Sequence, residues 1–482
     1  MIEHYKMFIG GEWIGSKNRD KIKIINPVKN EVFAEVPKAS EKDVEWAVDV
    51  ADKIFPEWAE LSPFERGKFL RKASNNVIKK SRQIAKLMTK EQGKPLEEAE
   101  GEVIKGANIL RYYAEEGERI YGRIIANEQK NSESKVIYQP IGVAAAISPW
   151  NYPIELLAWK IGGALAAGCP VVAKLPSQTP LAPLEFIKCI EDSGVPKGVV
   201  NAITGSGSEI GPLLIKNNKI KKIAFTGSTA VGKDVLKNSI EDFKKVSLEL
   251  GGSLPMIITK DCDLEKAVDG AVYRSFRNMG QICIAINRIY VEEDIYEKFL
   301  SSFAKKTENL KIGNGLTDNC DLGPMCSLNG IETTKTHIRD AVEKGAKIVS
   351  GGKAPEGEKY RQGYFFKPTI LRDVNHEMLV MREETFGPVV GVMSYEHIDE
   401  AIKLANDTSY GLAAIVYTNN LNAAKKISDE IKAGNISINN PSPGVINAPY
   451  GGWKDSGFGH EHGPEGLYEY LLLKHVRTTY FN

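Results

Sequence analysis

The chain has 482 residues, a length that predicts about two to four domains, with 42% hydrophobic and 26% charged residues. That composition excludes extended disorder, collagen-like repeats and a small disulfide scaffold. Lys plus Arg number 63 against 62 Asp plus Glu, a formal net charge of +1, so no long-range field draws the chain to nucleic acid or an anionic membrane. No apolar run reaches the roughly 18 residues of a membrane span, and Met1-Ile2-Glu3-His4-Tyr5-Lys6 lacks the pattern of a signal peptide. The expectation is a cytoplasmic protein.

In chain order, Met7 to Gly11 and Ile22 to Ile25 read as short strands. Ser62-Pro63-Phe64-Glu65 carries a helix start: a capping residue, proline at the first helical position and Glu at the third. The apolar spacing through Phe69, Ala73, Val77 and Ile84 predicts amphipathic helices, and a further helix runs from Pro95 to about Tyr121. The pattern then changes. Strands at Val143–Ile147, Val171–Ala173, Val199–Ile203, Ile223–Phe225 and Val246–Leu250 alternate with helices over Tyr152–Ala167, Ala182–Asp192, Glu209–Ile215 and from Ser228 onward. Such alternation predicts a parallel sheet covered on both faces, with ligands beyond the carboxyl ends of the strands. A second α/β block follows from Pro255 to about Asn440. The Gly-, Pro- and Asn-rich stretch after it ends in a helical turn and a strand between Leu467 and Tyr480. Two α/β blocks face each other across a cleft suited to a cofactor.

Six cysteines, Cys169, Cys189, Cys262, Cys283, Cys320 and Cys326, are too sparse for a disulfide framework and form no C-x-x-C pair. The seven histidines contain no H-E-x-x-H. His460-Glu461-His462 lacks the further ligands of a metal centre and reads as a polar loop, so no metal is expected. Gly227-Ser228-Thr229-Ala230-Val231-Gly232-Lys233 has phosphate-loop spacing. Asp234 follows, however, where a nucleotide hydrolase needs a hydroxyl for magnesium. What survives is a helix N-terminus whose backbone N–H groups can hold a pyrophosphate. Gly205-Ser206-Gly207-Ser208-Glu209-Ile210-Gly211 is a second glycine-rich turn after a strand. Cys283, at the end of an expected helix, is either a reactive thiolate or a small buried apolar residue. Glu249 closes an apolar strand, which is costly unless the carboxylate is solvated or functional. Glu384, beside Glu383, reads equally as a solvated edge.

Taken together, these segments resemble the aldehyde dehydrogenase superfamily over nearly the whole chain. The resemblance is carried by Pro149-Trp150-Asn151-Tyr152-Pro153, Phe225-Thr226-Gly227-Ser228-Thr229, Leu248-Glu249-Leu250-Gly251-Gly252, Gly280-Gln281-Ile282-Cys283, Glu384-Thr385-Phe386-Gly387-Pro388, Pro449-Tyr450-Gly451-Gly452 and Lys454-Asp455-Ser456-Gly457. It implies an α/β fold of two doubly wound parallel-sheet domains. The Rossmann-like cofactor domain would span 1–116 and 140–252 and the catalytic domain 253–440. A small β oligomerisation arm would take 117–139 and 465–482, with a loop region of 441–464 at the cleft, in a homodimer or homotetramer.

The resemblance also implies a reaction. Cys283 would attack the aldehyde, the Asn151 side chain and the Cys283 N–H would stabilise the oxyanion, Glu249 would activate water on the thioester, and Lys160 would assist proton movement. Cofactor contacts would come from Ile147, Ser148, Trp150, Lys174, Ser177, Gly207, Gly227, Ser228, Gly232, Leu250, Glu384 and Phe386. Many NAD-preferring relatives carry Glu where Ser177 stands; its absence removes a charge that repels a 2′-phosphate, so NADP⁺ is expected, with NAD⁺ also possible. The substrate pocket would involve Tyr152, Trp159 and Arg277. Succinate-semialdehyde dehydrogenases use two arginines and a serine for the distal carboxylate. Arg277 matches one arginine, Trp159 stands at the other, and Gly444-Val445 occupies the serine's neighbourhood. The expected pocket is therefore mostly uncharged and partly aromatic, suited to a small neutral or hydroxylated aldehyde such as glyceraldehyde or lactaldehyde, with succinate semialdehyde as the alternative. Retention of Cys283, Glu249 and Asn151 argues against a catalytically retired structural homologue.

Overall fold

A computed structural model describes residues 2–17 and 19–481. Met1, Asn18 and Asn482, which the expected start and outer domain bounds include, lie outside the described residues. Apolar five-residue runs such as Val143-Ala144-Ala145-Ala146-Ile147 are buried on both faces, as strands of a covered parallel sheet must be. Numbering only the elements that frame the cleft, the first sheet contains β1 (Val143–Ile147), β2 (Val171–Lys174), β3 (Val200–Ile203), β4 (Ile220–Thr226) and β5 (Lys245–Glu249). They run parallel in the order β5-β4-β1-β2-β3. Antiparallel strands close both edges, Gly457–Phe458 on β5 and Met7–Ile9 on β3. The order reverses at β1, whose neighbours are β2 and β4. The crevice beyond the carboxyl ends of β1 and β4 is thus where a ligand of such a sheet binds.

The second sheet contains β6 (Leu254–Ile258), β7 (Ile286–Glu292), β8 (Thr369–Arg372), β9 (Val389–Tyr395), β10 (Ala413–Tyr417) and β11 (Asn435–Ile438), in the order β8-β9-β7-β6-β10-β11. Both sheets are covered by helices, as the alternation requires. A third, antiparallel sheet pairs Leu471–Thr479 with Ser132–Pro140 over nine residues, and Arg123–Ile125 continues it. Its last strand begins five residues before the expected Val476. This sheet leaves Ile124, Leu472, Leu473 and Val476 exposed.

The helices that matter for the cleft are α1 (Ser81–Gln92), α2 (Leu96–Glu116), α3 (Glu155–Ala167), α4 (Leu181–Glu191), α5 (Gly207–Lys216), α6 (Thr229–Ser239) and α7 (Leu264–Phe276). The helix expected to start at Tyr152 starts three residues later. Residues 151–154 are held as a turn instead, because Glu102 accepts the N–H groups of Ile154 and Glu155. The helix expected to carry Cys283 ends earlier still, at Phe276. Asn278, Met279 and Gly280 follow with φ of 48°, 58° and 68°, a left-handed run that no α-helix accommodates. No helix among the described residues is long and apolar enough to cross a membrane.

Candidate active site

Cys283 is delivered by that left-handed run. Asn278 and Gln281 lock it locally: Gln281 Nε2 donates to the Asn278 carbonyl (2.9 Å), and Gln281 Oε1 accepts the N–H of Cys326 (2.9 Å). Gly280 is required at its position, since a Cβ there would collide with the Gly387 carbonyl. Asn151, on the turn after β1, donates from Nδ2 to the Gln281 carbonyl (3.0 Å), while its Oδ1 is buried without a partner among the described residues. Asn151 and Cys283 therefore stand side by side. Together they border two adjoining cavities.

The first cavity, of about 250 Å³, is lined by Trp150, Asn151, Gly227, Ser228, Leu250, Cys283, Glu384 and Phe386 among others. It lies in the crevice at β1 and β4. Gly227 is needed there because a Cβ would sit 2.5 Å from the Phe225 ring. Ser228 caps α6 through Val231 N (3.4 Å), leaving a helix N-terminus open to an anion. Ser148 Oγ, at the end of β1 after Ile147, is buried and unpaired among the described residues. Farther along, beyond β2 and β3, Lys174 Nζ lies 3.4 Å from Ser177 Oγ, and Ser177 donates to the Gly205 carbonyl (2.8 Å). A Cβ on Gly207 would stand 3.8 Å from Lys174 Nζ. Burial pushes the Lys174 ammonium down to about 8. A glycine-edged trough with a helix N-terminus and a distal cation fits a dinucleotide. Gly232 does not border the cavity; it makes room for the Leu250 side chain, which a Cβ would strike.

Glu384 turns inward while Glu383 is exposed, so the acid pair is not simply a solvated edge. Glu384 Oε1 accepts the Gly252 N–H (3.0 Å), and burial pushes its carboxyl up to about 7. Glu249, at the end of β5, is 5% exposed with Oε1 unpaired. Burial first, then the Glu461 carboxylate, raises it well above the usual range, against a lowering by Lys160. Lys160 Nζ lies between Thr226 Oγ1 and Glu461 Oε1, both at 2.6 Å. Of the segment read as a polar loop, His460 is exposed but the next two residues are buried: Glu461 completes an ion pair, and His462 stacks on Trp159 (ring centroids 3.5 Å apart) and on Tyr450 (4.9 Å). The Tyr450 hydroxyl stands 4.0 Å from Cys283 Sγ. Burial, followed by Glu384 and Glu249, pushes the Cys283 thiol up to about 12.

The second cavity, about 120 Å³, opens on the other side of Cys283 and includes Lys105, Tyr152, Glu155, Arg274, Arg277, Ser442 and His462. Trp159, expected in this pocket, does not border it, because His462 covers that ring. Four charged side chains, Lys105, Glu155, Arg274 and Arg277, stand in an otherwise uncharged and partly aromatic lining. Arg277 is there as expected, paired with Glu98 (3.0 Å), and Lys105 pairs with Glu155 (2.5 Å). Arg274 is 3% exposed and donates only to the Pro441 carbonyl (2.7 Å) and Ser442 Oγ (2.8 Å); among the described residues it has no carboxylate partner. Tyr152 donates to Glu98 (2.8 Å). Arg274 was missed in the sequence, although its i, i+3 spacing to Arg277 at a helix end placed both on one side.

A half-buried cysteine beside an amide, with a raised carboxyl and a dinucleotide trough next to it, fits an oxidoreductase that works on a carbonyl through a thiol. The aldehyde dehydrogenase family model matches residues 13–476. The chain is 42% identical over 472 residues to the glutarate-semialdehyde dehydrogenase of Pseudomonas putida, covering 97% of this chain and 96% of that one. It is 41% identical over 471 residues to the NADP(+) succinate-semialdehyde dehydrogenase of Escherichia coli, with the same coverage. Among solved structures, betaine aldehyde dehydrogenase of Staphylococcus aureus in complex with NAD⁺ superposes with a TM-score of 0.95 at 36% identity, covering 98% of this chain and 94% of that one. The chain belongs to the aldehyde dehydrogenase family and oxidises aldehydes with NAD⁺ or NADP⁺.

A thiol held near 12 is almost wholly protonated at neutral pH, and its reactive fraction grows tenfold per pH unit below that value. Alkylation of the cofactor-free enzyme by iodoacetamide, followed by mass spectrometry at Cys283, is expected to accelerate steadily up to pH 10 with no plateau near 8 to 9.

Proposed function

We propose that the enzyme oxidises a semialdehyde whose far end is a carboxylate, and that it favours NADP⁺. The observation that carries the substrate class is Arg274: a buried guanidinium with no carboxylate partner, lining the cavity beside Cys283. Burying an unpaired cation is costly, and a bound carboxylate would relieve that cost through charge-assisted bonds. Arg277 and Ser442 stand on the same wall. Trp159 occupies the position of the second arginine of the succinate-semialdehyde enzymes, and Arg274, reaching in from α7, supplies a second guanidinium by another route. The names of the Pseudomonas and Escherichia relatives support this choice over the small neutral aldehydes suggested by the sequence.

In this scheme the Cys283 thiol loses its proton to solvent through Glu249 as the sulfur attacks the aldehyde carbon, and the oxyanion of the thiohemiacetal is met by Asn151 Nδ2 and the Cys283 N–H. A nicotinamide held in the trough would supply the two-electron acceptor for this oxidation, which leaves the acyl group on Cys283 as a thioester. Glu249, its basicity increased by burial, draws a proton from the water that hydrolyses the thioester, and Lys160 with Glu461 sets the field behind it. The trough residues Trp150, Gly227, Ser228, Leu250, Glu384 and Phe386 hold the dinucleotide, with Lys174 and Ser177 at its adenosine end. The exposed apolar side chains Ile124, Leu472, Leu473 and Val476 on the third sheet support pairing of this arm with a second copy, as in a homodimer or homotetramer.

Succinate and glutarate semialdehydes are expected to exceed alkanals and glyceraldehyde in kcat/KM. Arg274→Ala should lower kcat/KM for the semialdehydes about ten- to a hundredfold, the loss of roughly 1.5–3 kcal/mol of charged hydrogen bonding, and leave an alkanal nearly unaffected. Equal losses on both substrates would overturn the carboxylate assignment.

Lys174 is charged below about pH 8 and neutral above it, so its attraction for a 2′-phosphate is present at low pH and fades as pH rises through 8. The KM for NADP⁺ should rise between pH 7.5 and 9 while that for NAD⁺ changes little. Ser177→Glu should reverse the preference; a variant that keeps it would refute this account.

Sedimentation at micromolar concentration should give a dimer or larger, and Leu473→Asp should shift it toward monomer.

A further inference from the structure

Asn151 and Cys283 come from different sheets, and the turn that carries each is irregular. Something must hold the two turns in register. The link between α1 and α2, Gln92-Gly93-Lys94-Pro95, touches both. Lys94 is 1% exposed; its Nζ donates to Glu102 Oε2 (2.6 Å) and to the backbone carbonyl of Asn151 (2.7 Å), and stands 3.7 Å from the centre of the Tyr152 ring. Glu102, also buried, accepts the N–H groups of Ile154 (2.9 Å) and Glu155 (3.3 Å) through its other oxygen. The pair therefore grips the Asn151 turn at both ends. Gln92 is fully buried and donates from Nε2 to Asn278 Oδ1 (2.9 Å), while its own Oε1 accepts the Lys94 N–H (2.9 Å). Asn278 in turn donates to the Asn151 carbonyl (3.2 Å) and the Gln281 carbonyl (3.3 Å). Gln92, Lys94, Glu102, Asn151 and Asn278 are all buried.

We infer that Lys94 is a positioning residue: with Glu102 and Gln92 it sets the position of Asn151 Nδ2 against the Cys283 N–H, the two donors that receive the oxyanion. It lines neither of the cavities that Cys283 borders, so it acts through Asn151. A buried ion pair contributes little net stability compared with well-packed apolar residues, whereas it fixes geometry. Displacing a donor by about 1 Å can cost about a hundredfold in rate. Gly93 gives the link its sharp path: φ is 100°, and a Cβ would lie 2.9 Å from the Pro324 ring.

The inference rests on the assignment of Asn151 to the oxyanion, and the experiment separates the two. Formation of the reduced cofactor in the first turnover is measured for the full-length enzyme, for Lys94→Met/Glu102→Gln, which removes both charges together, and for Gln92→Met, each with Asn151 intact and as Asn151→Ala. With Asn151 present, both changes should slow the first turnover at least tenfold and leave the KM for cofactor within twofold. In the Asn151→Ala background the same changes should cost less than twofold, because the donor they position is gone. Equal losses in both backgrounds would show a merely structural role and overturn the inference, as would no loss with Asn151 intact. If Asn151→Ala alone loses nothing, the oxyanion assignment fails and the inference with it. Should the double variant not fold, Gln92→Met decides the question through Asn278.

Discussion

The seam between the two parallel sheets buries many of its ionisable groups, and most of what the site can do follows from that. In a medium of low polarity a charge is expensive unless it is paired, so each titratable group there is either matched to a partner or pushed toward its neutral form. Lys160 and Glu461 are matched, as are Lys94 and Glu102. Cys283, Glu249 and Glu384 are not, and all three are raised. A thiol that is protonated at rest is protected from adventitious oxidation and alkylation, which act on the thiolate. A carboxyl with a raised value is a stronger base once it ionises. The same exclusion of water therefore restrains the nucleophile and strengthens the base, and it magnifies any field that a bound ligand brings into the cleft.

Charge balance also distinguishes the two sides of Cys283. On the dinucleotide side the buried cation is Lys174, with Ser177 rather than a carboxylate beside it; near the thiol the titratable neighbours are the acids Glu384 and Glu249. On the substrate side the acids, Glu98 and Glu155, are already paired with Arg277 and Lys105, and the surplus is Arg274. A pocket with one guanidinium in excess favours one negative charge. Arg274 is oriented by Pro441 and Ser442, so its direction is fixed before any ligand arrives, and little ordering entropy remains to oppose binding.

Much of this was legible in the chain. Alternating apolar strands and helices announced both sheets, and the segments around Asn151, Gly227, Glu249, Cys283 and Glu384 pointed to residues that the structure brings to one cleft. What could not be read were contacts between residues far apart in sequence. His462 is 303 positions from Trp159, and nothing local shows that its ring would lie on the indole and exclude it from the pocket. Glu461 looked like a loop acid because its partner, Lys160, sits on another element. The helix expected to run into Cys283 failed for a different reason: Asn278 and Met279 adopt left-handed backbone that their types do not demand, and the tertiary bond from Gln92 to Asn278 overrides local preference.

The stack of Trp159, His462 and Tyr450 shows how a change at one position propagates into the chemistry of another. A tryptophan in place of an arginine removes a cation from the pocket wall and adds a flat apolar face. That face is covered by His462, whose backbone is held at φ 59° and whose Nδ1 pairs with the Val445 carbonyl (3.0 Å). Burial pushes this imidazole down to about 3, so it stays neutral and adds no charge. Tyr450 then lies on the other side of His462, with its hydroxyl toward Cys283. The lining from His462 to the thiol is thereby aromatic and neutral, and the unpaired positive charge of the pocket is at Arg274. The charge that the pocket presents is thus set by the whole of its lining, and no single residue carries it.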